Sequence, residues 1–97
     1  MGRRVLYDPD SAAAKAAATL VSDAFDVREV EGWRLLDGVV ILADSRADDL
    51  PTGDRIRVVA LVESGGPWPQ RCYALLPVDV TRPILARTIQ NAFADLD

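Results

Sequence analysis

Tyr73-Ala-Leu-Leu-Pro-Val-Asp-Val-Thr-Arg-Pro-Ile-Leu85 decides how this chain is read. Within it a short apolar run, Ala74 to Leu76, meets Pro77, passes Asp79 and opens into an amphipathic helix. Thr81 can cap that helix. Pro83 suits its first turn, where a missing N–H costs nothing. Ile84, Leu85, Thr88, Ile89, Ala92, Phe93 and Leu96 recur at helical spacing and predict one stripe facing a core.

Working back from this stretch, Arg57–Val62 and Val39–Ala43 are apolar runs of the kind that form central parallel strands covered on both faces. Val5–Tyr7 is a shorter strand, broken by Asp8-Pro-Asp-Ser11, which offers helix caps. A helix is expected over 12–25, with Ala13, Ala17, Leu20, Val21, Ala24 and Phe25 on its apolar side. Val27–Val30 alternates apolar with charged residues, as a half-exposed edge strand does. The stretch 32–38 is a brief connection, 45–54 holds at most a turn or two of helix, and 64–70 reads as loop. Five strands with full helices after the first and last predict a parallel α/β sheet. Right-handed crossovers place both helices on one face. The flavodoxin-like order 2-1-3-4-5 fits, with abbreviated helices on the other face and no fourth helix.

Bulk properties narrow the function. Ninety-seven residues form a single domain, 1–97, with 49% apolar and 27% charged residues, a globular balance. No apolar run approaches the roughly 20 residues of a membrane helix, and the first residues are not a signal peptide. With the lone Cys72 read as a buried structural thiol, this predicts a cytoplasmic protein. The absence of histidine removes Ser/His and Cys/His catalysis and makes zinc chemistry untenable. A net charge of −4 argues against DNA or RNA as partner. Ten of the eleven basic residues are arginine, which reflects either a GC-rich genome or planar forks for phosphate and guanine.

The strand–proline–acid–helix order resembles the end of response-regulator receiver domains, in which a lysine precedes the proline. Here that residue is Leu76. Arg4 to Ser11 is similar to the receiver opening, whose strand ends in two acids that hold magnesium. Asp8 stands for the first, Pro9 takes the place of the second, and Asp10 lies one step further on. Asp37 to Asp44 resembles the strand that ends in the phosphoacceptor aspartate. Aligned from its start this strand puts Ala43 at the acceptor position, and aligned from its end it puts Asp44 there. Val62 or Glu63 falls where receivers carry a threonine or serine, with Ser64 slightly late.

Forming an acyl phosphate needs a carboxylate nucleophile, a hard cation on oxygen ligands and a positive group beside the phosphoryl. Leucine brings no charge, and proline brings no ligand. The resemblance therefore implies a pseudoreceiver, a non-enzymatic domain without cofactor or metal, cut from a larger protein such as a hybrid histidine kinase. Weak phosphoacceptor activity at Asp44 is the alternative. For the acids themselves, helix capping or exposure to solvent is the plainer expectation.

Without phosphotransfer, signalling falls to non-covalent contacts. Tyr73, Leu75 and Pro77 alternate and so share one face of the last strand. Arg55 and Arg57 alternate on the neighbouring strand, Arg71 precedes Tyr73, and Trp68 lies in the intervening loop. Guanidinium forks, an aromatic ring and an apolar floor suit a nucleotide. The resemblance suggests cyclic di-GMP as the candidate ligand. The alternative is a purely protein-interacting or dimerising module, docking the same face onto a histidine kinase core or an adjacent receiver. In the plainest reading the Trp68 loop covers that face and the arginines are solvated.

Overall fold

Every residue of Gly38–Ala43 is buried, because this uncharged strand sits at the centre of the sheet with both faces covered. The computed structural model describes residues 4–32, 36–49, 55–63, 69 and 72–96. In chain order the elements are β1 (Arg4–Tyr7), α1 (Ala12–Leu20), β2 (Asp26–Glu29), β3 (Gly38–Ala43), a 3-10 helix (Asp44–Asp49), β4 (Ile56–Val62), β5 (Ala74–Pro77) and α2 (Arg82–Leu96). All four strand pairings are parallel and the order is β2-β1-β3-β4-β5, the flavodoxin-like arrangement expected.

Alternation along the strands sorts side chains onto two faces. Val5, Val39, Ile41, Val59 and Leu61 meet α1 and α2 in one cluster, joined by Ala14, Ala17, Val21, Leu85, Ile89, Ala92 and Phe93. The helices also touch each other through Phe25 and Phe93, whose rings lie 6.0 Å apart. Both helices thus share one face, as right-handed crossovers require. On the other face Leu6, Val30, Val40, Leu42, Ala47, Val58 and Ala60 are buried. Among the described residues no α-helix covers them. Ala47 of the 3-10 helix and Val30 and Leu36 from the β2–β3 connection pack there instead. The expected missing fourth helix falls mainly on residues 64–71, of which only Pro69 lies among the described residues.

Both helices differ from expectation in detail. Ser11 caps α1, its Oγ accepting from Ala14 N–H at 3.1 Å. The helix ends at Leu20, not Phe25, and its buried positions are Ala14, Ala17 and Ala18, followed by Val21. Val21 N–H turns to Ala18 O, and Ser22 Oγ to Thr19 O at 3.0 Å, so the last turn tightens and stops. Leu20 and Ala24, expected inside, face out. In α2, Ile84 is 54% exposed although it belongs to the expected stripe, because Leu85 takes the inward position at the first turn.

The sheet's two edges are built differently. β2 carries Asp26, Arg28 and Glu29, and three of its four residues are exposed. β5 carries no charge. Gly38 N–H bonds to Arg55 O, so odd-numbered residues of β4 turn their polar backbone to β3 and even-numbered ones to β5. In register with them, Ala74 and Leu76 point their backbone groups at β4, leaving Leu75 and Pro77 on the outer edge. Pro77 therefore lacks an N–H where a further strand would need one. No helix among the described residues is long and apolar enough to cross a membrane.

Candidate functional site

In an open parallel sheet, ligands favour the crevice beyond the strands' carboxyl ends, where the chain winds off in opposite directions from neighbouring strands. Here that point lies between β1 and β3, and two acids flank it. Asp8 follows β1 and is fully buried; Asp44 follows β3 and is 3% exposed. Neither faces solvent, one of the two plainer expectations for these acids, whereas Asp10 does, its side chain 85% exposed.

Each carboxylate is engaged. Asp8 Oδ1 accepts from Asp10 N–H at 2.9 Å, and its Oδ2 accepts from Arg46 Nη1 at 3.1 Å. The same Arg46 nitrogen is 3.9 Å from Asp10 Oδ2. Asp44 Oδ1 accepts from Glu63 N–H, just past β4, at 3.3 Å. A buried charge needs a partner and hydrogen bonds, which Asp8 finds in Arg46 and Asp10 N–H, while Asp44 is hydrogen-bonded by Glu63 N–H. Among the described residues no buried side-chain nitrogen or oxygen lacks a partner, and no group of three acids, cysteines or histidines is placed to hold a metal ion. Pro9 is exposed beside this cluster.

The structure distinguishes the two alignments of β3. Ala43 is the last strand residue, paired with Leu61, and it offers no polar atom to the crevice. Asp44 begins the 3-10 helix and is the buried carboxylate at that end. Leu76 is half-buried and packs into the helix-side cluster, so it brings no charge to this end of the sheet.

The face proposed for a nucleotide is only partly assembled. Leu75 packs on the helix-free side, Tyr73 is 40% exposed and Pro77 is exposed. Arg57, expected beside them, is turned to the opposite face. Its Nε bonds to Asp95 Oδ2 of α2 at 2.6 Å and its Nη1 to Ile56 O at 2.8 Å. The reason is register: Arg57 pairs with Val39, and both sit on the helix side, whereas Leu75 is level with Ala60. Trp68 and Arg71 lie outside the described residues. Arg55 is exposed. Cys72 is half-buried rather than fully buried, and its Sγ lies 3.7 Å from Pro69 O.

Two features escaped sequence reasoning. Arg46 is the first; the signal for it was that a buried Asp8 must find a cation, and Arg46 is the basic residue nearest the end of β3. The second is a cavity of about 600 Å³ on the helix-free side, away from the strand-end acids. Leu6 and Leu36 line it with Arg4, Arg28, Glu29 and Glu31. Arg28 there is already tied to Asp26 at 3.1 Å. On the helix side, burial above all, then the charge and hydrogen bond of Glu29, raise the Tyr7 phenol above its ordinary pKa. No protein-family model matches this chain, and no characterised protein or solved structure matches it.

Proposed function

We propose that this chain is a receiver-like regulatory domain of bacterial two-component signalling that acts without phosphotransfer. It works by docking non-covalently onto a histidine kinase core or an adjacent receiver domain. One observation carries the reading. Of four large apolar side chains exposed among the described residues, three (Tyr73, Val78 and Ile84) fall between the residue before β5 and the first turn of α2. All three belong to one stretch of chain, the edge strand and its lead into α2, and exposed apolar side chains there suit a contact surface. The engaged state of Asp8 and Asp44 and the apolar Leu76 support the non-catalytic half of the proposal.

Magnitude shapes the proposal further. Covering what remains exposed of these three side chains would gain on the order of 2–4 kcal/mol. By itself that corresponds to millimolar association. Docking of this strength works when partner and domain share a polypeptide or assembly, where effective concentrations are millimolar.

The test is an amide NMR titration of the chain with kinase-core and receiver domains. Shifts are expected at Tyr73, Val78 and Ile84, absent at Asp8 and Asp44, and at least tenfold weakened by Ile84→Asp. Two further arms use cyclic di-GMP and acetyl phosphate. Saturable shifts at Tyr73 with the nucleotide alone would replace docking by ligand sensing. A stable acyl phosphate on Asp44 would overturn the proposal altogether.

A further inference from the structure

The geometry points to Arg46 as the resident cation of the crevice between β1 and β3, a built-in latch that neutralises Asp8 from within and keeps divalent metal out. Three observations combine. The Asp8 side chain is only 1% exposed, so its charge must be answered by something close. Arg46 answers it at 3.1 Å and leans toward Asp10 at 3.9 Å, so one guanidinium serves two carboxylates. The pair also spans the crevice, joining the residue after β1 to the 3-10 helix after β3.

That position gives the contact a second effect. The 3-10 helix bearing Arg46 also buries Ala47, 1% exposed, against the helix-free side of the sheet. Holding Arg46 on Asp8 therefore holds this short cover in place. A 3-10 helix has poorer hydrogen-bond geometry than an α-helix and gains from such an external tie. A divalent ion arriving at Asp8 would have to displace the guanidinium and loosen the cover with it. Arginine suits the task because it stays charged at every physiological pH. The latch is independent of what docks at β5.

The test uses the whole chain and Mn²⁺ as paramagnetic probe. In the native protein Mn²⁺ should leave the amides of Asp8, Asp10 and Asp44 unbroadened relative to surface acids such as Asp26. In Arg46→Ser the same amides should broaden selectively, with apparent affinity at least tenfold tighter than in the native chain. Equal Mn²⁺ affinity in the two proteins, whether high or negligible, would overturn the inference. If Arg46→Ser does not fold, the native chain still decides through the Arg46 guanidinium NMR signal. A guanidinium held on Asp8 shows slowed rotation and exchange that Asp8→Asn abolishes; a freely rotating Arg46 signal in the native protein would overturn the latch.

Discussion

Ile41 and Leu42 are neighbours on β3, both fully buried, yet they sit in two different kinds of core. Ile41 faces α1 and α2, a layer of regular helices that carry their own hydrogen bonds and meet the sheet with Leu85, Ile89 and Phe93. Among the described residues, Leu42 faces a cover made of a 3-10 helix and connecting chain, bordered by the half-buried Leu36, Ile56, Cys72 and Leu75. Equal burial therefore does not mean equal rigidity. The helix side resembles a closed jigsaw, whereas the other side can settle around a void.

The sharpest way to break this comparison is to truncate both residues. Ile41→Ala should cost about 4 kcal/mol, near the top of the range for such changes, because the helices relax little into the space. Leu42→Ala should cost about 2.5 kcal/mol, because a short 3-10 helix and connecting chain shift more readily than packed α-helices. Urea denaturation of both variants measures the difference, and equal losses would show that the two sides pack alike. A smaller effect is expected from Arg57→Ala, which removes the tie between β4 and the end of α2. Asp95 is 53% exposed, so solvent screens the pair and the loss should stay within about 1 kcal/mol. A loss above about 2 kcal/mol would mean that this tie, rather than apolar contact, seats the helix end.

The smallest effect concerns Tyr7, also on the helix side. Its phenol titrates above the ordinary value, so the folded state holds that proton more tightly than the unfolded chain does. The stabilisation is then complete below about pH 10 and disappears as pH rises through the folded value. Denaturation midpoints measured between pH 9 and 11 should fall more steeply in the native chain than in Tyr7→Phe. Parallel curves would remove Tyr7 from the account.

Legibility in the sequence followed the same division. The helix-side architecture was readable, because Val39–Ala43 and Arg57–Val62 are apolar runs, the stripe in α2 repeats at helical spacing, and handedness then settles where both helices go. The extent of α1 was not, since Val21 and Ser22 turn back onto Ala18 and Thr19 through hydrogen bonds that periodicity does not register. For the candidate site residues, pattern gave less. Arg57 carries the residue type of a ligand fork, but which face it takes depends on strand register, a non-local property. Asp8 and Arg46 are 38 residues apart, and no local rule pairs them. Only the demand of a buried charge for a partner connects the two.

One consequence of Pro77 reaches beyond the single molecule. A short uncharged strand at the rim of a sheet is an invitation for another chain to add itself, and repeated addition grows fibres. Because the missing donor of Pro77 faces outward, an incoming backbone finds the ladder interrupted after Leu75. Sticky side chains can thus be displayed at that rim for a selective encounter without the backbone seeding open-ended polymerisation.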